Sequence, residues 1–137
     1  GEIFGTECEI LASAGLQSQI TAANAGSIRA RIVAEAATAP TTPEAHAILR
    51  AAGIRVIPDI LCTAGGMVLS YFEWVQDIQS FFWTDAQIAG ELDRVMDAAM
   101  AEVVAMSEAR DVDLRDAAMM VAVRRVAQAT QLRGLYP

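Results

Sequence analysis

Apolar residues fall in short unbroken runs through the first half of the chain and at helical spacing through the second. Three runs, Glu9 to Ala14, Arg31 to Ala37 and Arg55 to Leu61, are bounded by small or polar residues. They predict buried strands near Glu9–Ser13, Arg31–Glu35 and Val56–Leu61. Between the first two, Thr21 is a candidate N-cap for a helix through about Arg29. Thr42-Pro43-Glu44 opens another helix, with a capping hydroxyl, a proline where no N–H is needed, and a carboxylate near the positive helix end. Gly53 stops it. Strands alternating with helices imply right-handed crossovers and a parallel sheet.

From Met67 onward the pattern predicts three helices. Met67 to about Phe82 is the first. Thr84-Asp85-Ala86-Gln87 reads as a capping box opening the second, in which Ile88, Leu92, Val95, Ala99, Val103 and Met106 recur at three-to-four spacing. Asp113 caps the third, which continues through Leu114, Ala118, Val121 and Ala129 and ends at Gly134. Its run Ala117-Ala118-Met119-Met120-Val121-Ala122-Val123 is apolar around much of the circumference, which predicts burial on several sides. Where the third strand meets the first of these helices, Thr63-Ala64-Gly65-Gly66 reads as a turn of small residues. Such a turn lets backbone approach a ligand at the carboxyl end of a parallel sheet, where ligands of open α/β sheets sit.

Composition narrows the function classes. The 137-residue chain is 54% hydrophobic and carries a net charge of −7 without a basic cluster, which argues against nucleic acid and anionic membrane as partners. No apolar run approaches the roughly 18 residues of a membrane span, and no signal-peptide pattern opens the chain. Cys8 precedes the first strand and Cys62 follows the third, at opposite ends of a parallel sheet. A disulfide is not expected, and the reading is cytoplasmic. No cluster has metal-ligand spacing. All ten basic residues are arginine. Without a lysine, the chain cannot supply an amine for Schiff-base or general-base chemistry.

Three parallel strands with both edges open make a poor stand-alone domain. No two glycines stand two apart, so no Gly-x-Gly-x-x-Gly fingerprint is present, and the chain reads as part of a larger unit. Arg31-Ile-Val-Ala-Glu-Ala-Ala-Thr-Ala-Pro-Thr-Thr-Pro-Glu-Ala45, Val56-Ile-Pro-Asp-Ile-Leu61 and Ala64-Gly-Gly-Met-Val-Leu-Ser-Tyr-Phe-Glu-Trp-Val-Gln76 resemble the carboxyl-terminal part of the glutamate dehydrogenase family. Ile10-Leu11, Gln19-Ile20-Thr21, Asp113-Leu114-Arg115 and Arg133-Gly134 fit the same order.

The resemblance implies an α/β fold, the second half of a Rossmann-like doubly wound parallel sheet. Residues 1–66 would form the partial dinucleotide-binding domain and 67–137 a carboxyl-terminal helical segment. It implies an NAD- or NADP-dependent enzyme that converts L-glutamate to 2-oxoglutarate and ammonia. The catalytic lysine and aspartate of the family would lie upstream, leaving no catalytic residue here. By position, Ala14, Gly15, Thr38 and Thr63 would contact the cofactor, and Met67 and Ser70 the substrate side chain. Relatives form oligomers, so association with itself or with a paralogous subunit is implied.

The tips depart from the family pattern. Ser13-Ala14-Gly15 stands for a Pro-Ala-Ala type sequence, Ala36-Ala37-Thr38 for Gly-Ala-Asn, and Thr63 for the asparagine before Ala-Gly-Gly. A hydroxyl cannot donate and accept along one planar edge as an amide does. A non-catalytic regulatory subunit of such a dehydrogenase is therefore the alternative. Elsewhere, His46 reads as a solvated surface residue. Tyr71, Phe72, Trp74, Phe81, Phe82 and Trp83 read as core or interface, and Asp59 and Glu73 as structural carboxylates.

Overall fold

The computed structural model describes residues 2–134. Strands β1 (Ile10–Ala12), β2 (Ile32–Ala34) and β3 (Arg55–Ile57) form one parallel sheet in the order β1-β2-β3. Ile10 pairs with Ile32 and Ala12 with Ala34, while Ile32 pairs with Arg55 and Ala34 with Ile57. The expected strands and their parallel pairing are present, each shorter than its apolar run. Helices α1 (Pro43–Ala51), α2 (Asp59–Cys62), α3 (Ala64–Gln79), α4 (Asp85–Arg110) and α5 (Leu114–Arg133) complete the architecture.

Several boundaries differ from the sequence reading. The helix expected from Thr21 to Arg29 is only a 3-10 turn, Ala25–Ser27. Thr21 caps nothing there; its N–H donates to Asn24 Oδ1 at 2.8 Å, and Asn24 Nδ2 donates to Gln19 O at 2.8 Å. This local side-chain bonding competes with the helical ladder and wins. The third strand stops at Ile57. Pro58 cannot extend the sheet ladder, and its carbonyl accepts the N–H groups of Leu61 and Cys62, winding Asp59–Cys62 into the turn α2. Gly65 and Gly66 lie inside α3, which begins at Ala64, so Thr63 alone joins α2 to α3.

The helix ends follow their capping residues. Thr42 Oγ1 accepts from Ala45 N–H at the start of α1. At its end Gly53 adopts φ +74°, with Gly53 N–H donating to Arg50 O and Ile54 N–H to Leu49 O. That is a Schellman closure, which requires the left-handed conformation glycine accepts freely. Thr84 and Gln87 form the expected capping box of α4, and Asp113 accepts from Asp116 N–H to start α5. Helix α3 ends before Phe82 because Gln76 holds the following turn. Its Nε2 donates to Phe72 O and its Oε1 accepts from Trp83 N–H, with Ser80 left-handed at φ 51°.

Two apolar clusters result. Leu11, Val33 and Val56 face α1 and the first crossover, meeting Ile20, Ile28, Ala45 and Leu49. Neighbouring residues on a strand point to opposite faces. Ile57 accordingly packs on the other side, with Leu61, Val103, Ala117, Ala118 and Val121. The expected burial of α5 on several sides does not occur. Met119, Met120, Val123 and Val126 are exposed, leaving a face of α5 open.

Candidate functional site

The carboxyl ends of the three strands lie side by side, and the loops that leave them carry the residues singled out in the sequence. Ala14 and Gly15 follow β1, Thr38 follows β2, and Thr63 closes the turn after β3; all four are exposed. Gln19 folds over Gly15, where a built Cβ would come within 2.6 Å of its Oε1. Met67 and Ser70, three residues apart on α3 and so on one helix face, are exposed as well. Two of the hydroxyls are already engaged as donors. Thr63 Oγ1 donates to Asp59 O at 2.7 Å and Ser70 Oγ to Gly66 O at 3.1 Å. Each retains acceptor capacity outward. Beneath the rim, Ser13 Oγ, Glu35 Oε1 and Thr41 Oγ1 are buried without a protein partner. Unmet polar capacity at strand ends is where a water or a ligand's polar group fits.

Under these loops lies a feature that the sequence reading did not assemble. Glu35 is completely buried at the end of β2 and Asp59 nearly so after β3. Arg115, from the first turn of α5, reaches both: its Nη2 contacts Glu35 Oε2 and donates to Asp59 Oδ1 at 2.9 Å. Glu35 Oε2 also accepts from Asp59 N–H at 2.9 Å, and Asp59 accepts from Ala39 N–H and Ile60 N–H, each at 2.8 Å. Burial by itself would raise the Asp59 carboxyl. The Ala39 N–H, the Arg115 guanidinium and the Ile60 N–H overcome it and hold the group below its ordinary value. Burial likewise works against the Arg115 cation, but the Glu35 charge and the Asp59 contact outweigh it and raise its pKa. Burial, reinforced by the Glu35 and Asp59 charges, pushes the Cys62 thiol up against a hydrogen bond from the Glu35 backbone. A raised thiol is a poor nucleophile.

Signals for this cluster were present in the chain. Glu35 interrupts an apolar strand run, and Arg115 stands just ahead of the apolar run Ala117 to Val123 in α5. Asp59 has the structural role expected of it, whereas Glu73 is exposed on α3 and takes no part in the cluster. His46 is half-buried rather than freely solvated. It lines a groove of about 530 Å³ with Arg50, Arg55 and Asp113, which runs along β3 to Ile57. Phe72 is core and packs on Trp83 with ring centroids 5.3 Å apart, whereas Tyr71, Trp74, Phe81 and Phe82 are exposed. Among the described residues no helix is long and apolar enough to cross a membrane. Cys8 and Cys62 are free thiols.

A three-stranded parallel sheet covered by helices, with small residues and hydroxyls at its carboxyl ends, defines a Rossmann-like α/β protein. The family model for Glutamate/Leucine/Phenylalanine/Valine dehydrogenase matches residues 1–134, and the chain belongs to that family. It is 48% identical over 136 residues to a glutamate dehydrogenase of Thermotoga maritima, covering 99% of this chain and 33% of that protein. It is 43% identical over 133 residues to an NAD-specific glutamate dehydrogenase of Staphylococcus aureus, covering 97% of this chain and 32% of that one. A hetero-hexameric glutamate dehydrogenase of Thermus thermophilus, in a leucine-bound form, superposes with a TM-score of 0.93 at 36% identity, over 99% of this chain and 33% of that chain. The chain thus spans about a third of the length of these relatives.

Proposed function

We propose that the chain is the cofactor-side portion of a dehydrogenase that oxidises L-glutamate to 2-oxoglutarate and ammonia with NAD or NADP. The observation that carries this reading is the 48% identity to a glutamate dehydrogenase along 99% of the chain. Residues 1–66 are assigned to the second half of the dinucleotide-binding domain and 67–137 to the helical segment. The strand tips suit a nicotinamide riboside: Ala14 and Gly15 present backbone without bulk, and Thr38 and Thr63 offer hydroxyls. When bound, the nicotinamide supplies a hydride acceptor. Met67 packs against the substrate side chain. Ser70 turns its hydroxyl from Gly66 O to the substrate's distal carboxylate, a charge-assisted bond stronger than the one it leaves. With no lysine in the chain, proton transfer at the α-amino group falls to residues of the parent protein outside it. A cytoplasmic location and assembly into oligomers, with itself or with a paralogous subunit, go with this reading.

One observation favours a second reading, a non-catalytic subunit. Thr63 already donates its proton to Asp59 O and, unlike an amide, has no second donor to offer a cofactor while it keeps that bond. Titration calorimetry of the intact parent and its Thr38→Asn/Thr63→Asn variant with reduced cofactor separates the two. For a catalytic parent we expect binding by the unmodified protein, tightened by about 1 kcal/mol per regained hydrogen bond, and glutamate-dependent reduction of NAD or NADP. The 137-residue chain alone should show no such activity. No binding by either protein sinks the enzyme reading, and tight binding by the parent sinks the other.

A further inference from the structure

We propose that Arg115 is a positioning residue for the nicotinamide end of the cofactor cleft, tying the loop after β2 to the turn after β3 from the first turn of α5. The proposal rests on the cofactor reading above for its consequence, and on the Glu35–Asp59–Arg115 cluster for its mechanism. Both threonines of the rim are one step from Asp59. The neighbour of Thr38, Ala39, donates its N–H to the Asp59 carboxylate, and Thr63 donates its hydroxyl to the Asp59 carbonyl. Ala39 itself sits at φ 45°, a left-handed conformation that costs a residue with a Cβ and persists only when its surroundings hold it. Two bonds do so: Ala39 N–H to Asp59 Oδ2 and Ser18 N–H to Ala39 O, 2.8 and 2.9 Å long. The second reaches into the loop after β1, so all three tips meet at Ala39.

Arg115 is what allows this arrangement to stay charged and closed. Glu35 and Asp59 are two buried carboxylates joined through one backbone N–H, and a single guanidinium nitrogen serves both. Without it the two like charges repel in a site of low polarity, and the cheapest relief is to part the loops. The helical segment therefore does more than cover the sheet: its α5 sets the spacing of Thr38 and Thr63. A misplacement of the order of 1 Å in groups that orient a ligand is enough to cost affinity and rate.

The test uses the intact parent protein. Hydrogen exchange of peptides covering residues 36–42 and 59–63 reads the loops, and titration with reduced nicotinamide dinucleotide reads the cleft. For Arg115→Met we expect faster exchange in both peptides and a cofactor Kd raised about tenfold or more, with guanidinium ion added at millimolar concentration recovering part of both. Arg115→Lys, which keeps the charge but loses the fork, should fall between. Arg124→Met removes an exposed bridge to Glu102 from the same helix and should change neither readout, which separates positioning from general loss of stability. If Arg115→Met does not fold, Arg115→Lys and Glu35→Gln carry the same comparison. Unchanged exchange in both peptides overturns the proposal. So does an unchanged Kd where the unmodified parent binds cofactor. If the unmodified parent binds none, the functional reading fails separately, and the exchange measurement still decides whether Arg115 holds the loops.

Discussion

The sheet and the helical segment bury their apolar residues to very different degrees. Around the sheet, Ile20, Val33, Ala45 and Leu49 are wholly inaccessible, and Leu11 and Val56 are buried beside them, although Ile10 on the edge strand is exposed. In α5 only Ala117, Ala118 and Val121 are buried; Val123 and Val126 are 60% and 67% exposed, and α3 likewise presents Tyr71, Trp74 and Ile78 outward. The alanine content makes this possible. A helix of small residues can lie close on a neighbour with a narrow stripe and leave its larger side chains elsewhere. The first region satisfies itself within the chain, while the second displays surface of the kind proteins cover by association. They are joined by the apolar packing of Ile57 and Leu61 on Val103, Ala117, Ala118 and Val121, and by the ionic contacts of Arg115 with Glu35 and Asp59 and of Arg50 with Asp113.

Truncation should expose the contrast most strongly. Leu49→Ala opens a cavity in the sheet core and is expected to cost about 2–5 kcal/mol, whereas Val126→Ala on the open face of α5 should stay within about 0.5 kcal/mol. Denaturant unfolding of the two variants measures both, and equal losses would erase the distinction between the regions.

Acid should act next, on the junction. Asp59 is held below its ordinary value of 3.8 in the fold, so the unfolded state binds its proton first as pH falls. The stability it contributes is complete above that value and is lost as pH drops through the lowered native pKa. Urea midpoints at about pH 6 and about pH 3 should therefore fall further for the unmodified chain than for Asp59→Asn, which has no proton to take up there. Parallel falls in the two proteins would mean that Asp59 contributes nothing to the acid response.

The smallest effect on stability should come with the largest effect on association. We expect the 137-residue chain to self-associate at micromolar concentration through the open faces. Val123→Glu/Val126→Glu should shift sedimentation toward the monomer with little change in unfolding midpoint. A monomer in both proteins would leave the apolar face of α5 without that role.

Much of this was written in local patterns. The three apolar runs named the strands and their parallel order, Thr42, Thr84 and Asp113 marked three helix starts, and Gly53 marked an end, because capping and chain reversal depend on a few adjacent residues. The same locality misjudged Thr21, where Asn24 offered the backbone a competing bond, and Val56–Leu61, where Pro58 ended the strand inside an apolar run. The positions proposed for cofactor and substrate could be named one by one in the sequence. That the loops carrying Thr38 and Thr63 meet at Asp59 could not. Glu35, Asp59 and Arg115 are separated by 24 and 56 residues, and neither periodicity nor capping relates groups so distant along a chain. Their meeting depends on parallel strands ending at one edge and on α5 folding back across that edge. A buried charge is tolerable only when such a partner arrives. By itself the sequence determined which segments are strand and helix and what chemistry the tips can offer. The tertiary structure decided which charges are buried together and which apolar faces stay open, because burial is a property of packed surfaces and not of residues.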